Sequence, residues 1–471
     1  MAHSAAPASS EYAHPERALL VCLLAIFMVL LDVSIVNVAL PPIQRSLQAS
    51  PAAISWIVSG YALTFGLVLV PAGRVGDDYG RKHMFQIGLL AFVVTSALCA
   101  AAPSSTWLVV ARLLQGIAGG MLTPQIFGLI QQLFSGRDRG RAFGYIGLTA
   151  GLSTALGPVI GGLLITVGGT LSWRLVFLIN LPVGIIALAA AARLLPAHRP
   201  THDRRLPDLG GISLLGLGIG AFMLPFVRST QAHATPHWWL TAIGVLLLAA
   251  FWSWTRRRSV RGRATLINPE LLRVRGYTTG VLTGLVHFGF PGTFLVLTLY
   301  YQQGLGYSPL MAGLGLMPFA AASAISPNIG GRIVHRYGRV VVVVGSLATT
   351  AGLAVTALLI GWAGAGAPLL VAPLFLAGFG SGLVIAPNQT LALDEAASAE
   401  GGTAGGVIQT AQRLGTSIGI AFASALFFNT LSGTNGDFHA AATLGLIGTT
   451  AFVGLAICIG LAEMVVSRKS A

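Results

Sequence analysis

The sequence predicts an all-α membrane protein of fourteen transmembrane helices, built as two six-helix halves of one design with an extra helix pair between them. Three observations carry that prediction. Of 471 residues, 54% are hydrophobic and only 9% charged, where an ordinary soluble domain has about 25% charged. Apolar stretches long enough to cross a hydrocarbon core of about 30 Å recur from end to end. One glycine-rich pattern is also written twice, 258 residues apart, as Gly73-Arg-Val-Gly-Asp-Asp-Tyr-Gly80-Arg81 and Gly331-Arg-Ile-Val-His-Arg-Tyr-Gly338-Arg339. The same offset carries Gly157 onto Gly415 and Gly161 onto Gly419, and it sets Asp32 against Phe290.

Residues 1–16 are small, polar and proline-containing, and read as a mobile cytoplasmic tail. The first span, 18–40, is too long for a secretory signal and no small-residue cleavage site follows it. Spans at 52–72 and 84–101 flank the first glycine-rich loop, and spans at 107–133, 142–167 and 173–195 complete an N-terminal half assigned to 17–200. An inserted pair, 209–228 and 238–254, fills the segment 201–263 and ends in basic loops. Spans at 277–303, 308–330, 340–362, 367–391, 402–427 and 441–466 form the C-terminal half, 264–471. The 60 glycines suit helices that pack closely without a hydrophobic drive between them.

An even number of spans puts both termini on one side, and the basic residues fix which. Of the 28 Lys and Arg, twenty-three fall in segments assigned to the cytoplasm, three outside, and two, Arg112 and Arg413, within spans. That asymmetry is the positive-inside pattern of a protein in the cell's inner (plasma) membrane. It accounts for the net charge of +14 without nucleic acid, and makes the run Arg256–Arg263 an anchor at anionic headgroups. Cys22, Cys99 and Cys458 show no paired spacing, and His198 and His202 sit in a proline-broken loop, so neither disulfide nor metal is expected. A phosphate-binding loop needs Gly-Lys, yet Lys82 and Lys469 each follow an arginine. Gly415-Thr-Ser417-Ile-Gly419 has nucleophile-elbow spacing but lies inside a helix. No enzyme and no bound cofactor is expected; protons are the coupling ion.

Asp32 lies a little past the middle of the first span, where an ionised carboxyl costs about 2.5–3.5 kcal/mol on insertion scales. It needs a partner, a proton or water. It is therefore either a titrating group of an ion-driven transporter or a carboxyl locked by a neighbouring helix. Arg112 stands ~8 Å from the outer end of its span and Asp32 ~12 Å from the outer end of its own, so the two can meet. They would form a pair that breaks and re-forms, or a permanent ion pair. Arg413 has no acid at its depth; backbone carbonyls, Gln409 or Gln412, or a wet cavity would satisfy it. His287 can titrate, or serve as a hydrogen-bonded packing residue. Gly73 and Gly80 permit a tight turn in which Asp77 caps a helix N-terminus or pairs with an arginine, latching one conformation. Gly157, Pro158, Gly161 and Gly162 allow one helix to bend and slide against another; on physics alone they are packing.

Taken together these motifs resemble the major facilitator superfamily, and within it the fourteen-helix drug:proton antiporter family, over nearly the whole chain. Leu31-Asp32-Val-Ser-Ile-Val-Asn37-Val-Ala-Leu-Pro41 is similar to that family's first-helix motif. Gly73 to Lys82 is similar to the loop between helices 2 and 3, with Asp78 where the family usually has a basic residue; in the second copy His335 replaces the acid. Arg112-Leu-Leu-Gln115-Gly116 resembles the motif whose arginine is linked to proton transfer, and Gly157-Pro158-Val-Ile-Gly161-Gly162 the antiporter motif. Trp173-Arg174 through Asn180-Leu-Pro182 and Tyr300-Tyr301-Gln302 with Gly306-Tyr307-Ser308-Pro309 fit the same family. The resemblance implies a major facilitator fold, Asp32 and Arg112 as proton-coupling residues, and Gly73, Asp77, Gly80, Arg81, Gly157, Pro158, Gly161 and Gly162 as gating elements. Trp173 and Arg174 are expected to anchor at the outer interface.

The function expected is proton-coupled export of lipophilic small molecules by alternating access, in a monomer embedded in the lipid bilayer. One charge falling through 100 mV yields about 2.3 kcal/mol, roughly 50-fold accumulation. The cavity should be largely apolar, with Asn37, Tyr61, Gln115, Gln125, His287, Asn388, Gln389, Gln409, Gln412 and Arg413 as polar contacts. With a single mid-membrane acid, monocations or neutral compounds are the expected cargo. The rivals are a dedicated exporter of an endogenous metabolite, antibiotic or lipid, and a non-transporting sensor or scaffold.

Overall fold

Backbone amides in a membrane have no partner but their own helical ladder, and among the described residues every regular element is a helix. The computed structural model describes residues 15–167, 172–196, 208–229, 237–263, 265–307, 309–396 and 401–470. The expected N-terminal tail falls almost wholly outside these residues, as do His198, Arg199, His202, Arg204, Arg205 and Ser308.

The first half comprises α1 (Pro15–Leu47), α2 (Pro51–Tyr79), α3 (Arg81–Ala100), α4 (Ser105–Leu133), α5 (Gly136–Val167), α6 (Ser172–Leu178) and α7 (Asn180–Leu194). An intervening pair follows, α8 (Leu209–Ser229) and α9 (Trp239–Val260). The second half holds α10 (Arg275–His287), α11 (Pro291–Leu299), α12 (Pro309–Tyr337), α13 (Arg339–Ala363), α14 (Ala367–Asp394), α15 (Gly401–Gly433) and α16 (Phe438–Ser470). Twelve helical stretches among the described residues are long and apolar enough to cross a membrane. The expected span at 209–228 has only a short apolar core, Gly210–Pro225. The expected span at 308–330 is the 29-residue α12, interrupted by Pro318 and Pro327.

Two spans expected to be continuous are broken. The first divides at Ile179, because Pro182 has no N–H to return to the preceding turn. The second turns at 288–290, where Pro291 begins α11 at its first position, and it ends in a π-helical turn, Tyr300–Gly304. Elsewhere the ends are set by ordinary caps: Ser50 accepts from Ala53 N at 3.2 Å and Ser104 from Trp107 N at 3.3 Å. Gly80 joins α2 to α3 at φ 114°, a conformation that excludes most side chains.

The halves meet along two seams, α2 on α15 and α5 on α12. Each seam is glycine against glycine: a Cβ on Gly73 would overlap the backbone at Gly402, and one on Gly331 the backbone at Gly140, with Gly144 next to it. The 258-residue offset carries Gly73 onto Gly331 and Gly144 onto Gly402, so the second seam repeats the first. The antiporter-like glycines repeat too. Gly157 and Gly161 press on Ser34 and Ile35 of α1, while Gly415 and Gly419 press on Leu285 and Gly289 near α10. A Cβ on Gly162 would meet nothing within 4 Å among the described residues. Pro158 stands within α5. Trp173 is 2% exposed, packed edge-on to Phe177 with Arg174 stacked 4.2 Å above it. It is a core residue rather than the interfacial anchor expected, and Arg174 donates to the carbonyls of Ala100 and Ala102 at the end of α3.

Candidate functional site

Asp32 projects from α1 into the interior of the first half and is fully buried. Its Oδ2 lies 2.6 Å from Nη1 of Arg112 on α4. Its Oδ1 accepts from Gln115 Nε2 at 3.0 Å and from Asn180 Nδ2 at 2.9 Å. Ser96 of α3 joins both amides through its Oγ, at 2.7 Å and 3.1 Å. The break before α7 is what carries Asn180 to the carboxylate. Three side-chain donors thus converge on one carboxyl group that is closed to solvent. Arg112 has further partners: Nε donates to the Ile57 carbonyl at 3.1 Å, Nη1 to Gln115 Oε1 at 2.7 Å, and the guanidinium lies 4.2 Å over the Tyr61 ring.

A second constellation closes the end of the bundle that carries the loop joining α2 to α3. Asp77 accepts from the first backbone amides of α15, Gly402 N at 3.0 Å and Thr403 N at 2.7 Å, and from Thr403 Oγ1 at 2.8 Å. Arg81 Nε donates to the same carboxylate at 2.9 Å, while its Nη1 donates to the Gly128 carbonyl at 2.7 Å. Both expected roles of Asp77, helix cap and arginine partner, are thus filled at once, across the seam between halves. Asp78, the departure from the family pattern, pairs with Arg74 on its own helix at 2.9 Å. Gln131 donates to the carbonyls of Leu393 and Ala396, and Arg139 pairs with Asp394. At the corresponding place in the second seam His335 is exposed.

Between the halves lies a cavity of about 320 Å³, within the range of drug-sized sites. Its walls are largely apolar, with Phe65, Phe127, Phe288, Phe290, Phe294 and Phe319 among them. Of the polar contacts expected, Gln389, Gln409, Gln412 and Arg413 line it. Five others do not. Gln115 holds the ion pair; Tyr61 stacks between Arg112 and Phe65; Gln125 donates to the Ala72 carbonyl. His287 is buried against Ser381 at 3.1 Å, and Asn388 is bonded to Arg339 and to the Gly280 carbonyl. The Asn37 side chain lies outside the described residues. Asp32 is not among the lining residues either, and among the described residues Arg413 is the one charged side chain that lines the cavity. Monocations or neutral compounds were expected from the single mid-membrane acid, and that acid is engaged by Arg112, Gln115 and Asn180 away from the cavity lining. Sequence reasoning missed Asn180, Ser96 and the phenylalanines; the visible signals were Pro182 after Asn180 and the run Phe288-Gly-Phe290-Pro-Gly-Thr-Phe294.

The family model described as Major Facilitator Superfamily matches residues 22–420. Among its relatives, the probable actinorhodin transporter of Streptomyces coelicolor is 37% identical over 89% of this chain and 74% of its own length. The puromycin resistance protein pur8 of Streptomyces alboniger is 36% identical, over 86% of this chain and 80% of its own. The tetracenomycin C resistance and export protein of Streptomyces glaucescens is 33% identical, over 94% and 81%. The solved structure of the human organic anion transporter MFSD10 aligns with a TM-score of 0.68 at 17% identity, covering 95% of this chain and 99% of that one. At that identity the likeness speaks for the fold.

Proposed function

The chain belongs to the major facilitator superfamily, as a multi-pass membrane transporter of small molecules and not an enzyme, and from that premise we propose that it is a proton-coupled exporter of the fourteen-helix drug:proton antiporter kind. The observation that carries the reading is the 2.6 Å pair of Asp32 and Arg112, buried and held by Gln115 and Asn180. Protonating Asp32 removes the charge that holds Arg112. The arginine then keeps the Ile57 carbonyl, Gln115 and the Tyr61 face, so the pair opens without stranding a buried cation. Because Asp32 is closed to solvent in this conformation, proton exchange belongs to another state of the cycle. That ties H⁺ transfer to which face of the molecule is open.

In this reading the halves, 17–200 and 264–471, rock about the cavity, α8 and α12 complete fourteen crossings, and the protein works as a monomer with both termini in the cytoplasm. The Asp77 latch is then the cytoplasmic gate, shut while Asp32 faces the outside. The cargo is lipophilic. A second reading, a dedicated exporter of a metabolite, antibiotic or lipid made by the cell, is favoured by the relatives named for actinorhodin and tetracenomycin C. A non-transporting sensor has no need of so complete a polar network around Asp32. The test is uptake of an aromatic dye into inverted vesicles under an imposed pH gradient, with Asp32→Asn beside the parent. Loss of gradient-driven uptake at normal expression is expected; unchanged coupling moves the proton elsewhere.

A further inference from the structure

We propose that the cavity takes planar aromatic anions, phenolates, enolates or carboxylates, with the negative group on Arg413 and the rings among the phenylalanines. This rests on the transport reading and names its substrate class. Helical spacing turns Gln409, Gln412, Arg413 and Thr416 of α15 to the cavity as one face. Among the described residues no acid lines the cavity. Asp32, the buried acid of α1, is already bound by Arg112, Gln115 and Asn180. The Arg413 guanidinium carbon rests 4.6 Å from the centre of the Phe65 ring, a cation–π contact made by a group that carries five N–H donors. The cavity hydroxyls are occupied: Thr123, Thr154, Ser323 and Thr416 each bond a carbonyl of their own helix, and Ser381 meets His287. The fixed charge of the site is therefore one cation in an aromatic chamber. A bound cation would be repelled there, a neutral ring accepted, and a ring with an oxyanion favoured by a charge-assisted bond of low local dielectric.

The test is calorimetric titration of the purified full chain with anthraquinone-2-carboxylate, its neutral analogue anthraquinone-2-carboxamide, and ethidium as the cation. The carboxylate should bind about 10- to 100-fold tighter than the carboxamide, the range of one hydrogen bond to a charged group, and ethidium weakest. Arg413→Gln should bring the two anthraquinones within about threefold of each other, and Arg413→Lys should restore part of the preference. Equal binding of the two anthraquinones by the parent, tightest binding of ethidium, or an undiminished preference in Arg413→Gln would overturn the proposal. The parent's ratio decides even where the variant does not fold. Vesicle uptake of the same anthraquinones separates the two readings: a carboxylate preference without gradient-driven uptake sinks the transporter mechanism and spares the anion site, and driven uptake without preference does the reverse.

Discussion

A single neutral side chain completes the set of donors around the buried acid. Asn180 gives Asp32 a hydrogen bond at 2.9 Å from a helix break the two share no sequence proximity with, and Ser96 braces both amides. Asn180→Ala should destabilise the protein by about 1.5–3 kcal/mol, the worth of a hydrogen bond to a charged group, and lower gradient-driven uptake. Gln409→Ala, at the cavity wall, should leave stability at the parent level. Thermal unfolding in detergent checks this; equal midpoints for Asn180→Ala and the parent would remove Asn180 from the network. Asp32 and Arg112 were legible because a charge within an apolar span is costly and therefore conspicuous. Asn180 and Ser96 were not, since neutral polar residues are common in spans and only packing shows which of them converge. Gln115 was read as a cavity contact for the same reason: residue type gives polarity and depth, not the neighbour it faces.

At the scale of elements, the two seams share glycine geometry and differ in chemistry. Asp77, on the α2–α15 seam, draws on two backbone amides, a hydroxyl and Arg81, whereas the corresponding residue of the second copy is the exposed His335. Asp77→Asn keeps the shape and removes the charge, so the gate should open more often. With Cys22, Cys99 and Cys458 replaced by alanine, a cysteine placed at Ala396, buried at the closed end, should react with an impermeant maleimide about tenfold faster in inverted vesicles, as the loss of one charge-assisted bond implies. Asp78→Asn, which loses only an ion pair to Arg74 within α2, should react at the parent rate. Equal rates for Asp77→Asn and the parent would mean that the glycine contacts alone hold the gate. The pairing of Asp77 was readable from Gly73, Asp77 and Gly80 because turn geometry is local. The breaks at Ile179 and at 288–290 were passed over, because Pro182 and Pro291 sit in runs as apolar as any continuous span. The phenylalanine walls escaped for a related reason: an apolar residue suits lipid and cavity equally, and hydropathy cannot tell them apart.

For the whole molecule, the number of crossings sets where every later loop lies, and α8 is the element on which it turns. Its apolar core, Gly210–Pro225, is 16 residues, about 24 Å of helix, against a hydrocarbon core of about 30 Å. Yet α8 packs on α2, α15 and α9, and Asp208 ties its start to Trp254 of α9 by a 3.0 Å bond from the indole N–H. Antiparallel pairing with α9 puts the start of α8 beside the basic end of α9, where Arg258 approaches Asp208 at 3.5 Å. If α8 crosses, that end is on the cytoplasmic side and the run Arg256–Arg263 lies at anionic headgroups. Were it to lie along the surface instead, α9 would run the other way and set those arginines outside, against the positive-inside preference. A phosphatase inserted at His233, between α8 and α9, should therefore be active, and a fluorescent protein fused after Ala471 should be fluorescent in the same cells. An inactive phosphatase at His233 would show that α8 does not cross and would overturn the fourteen-helix arrangement.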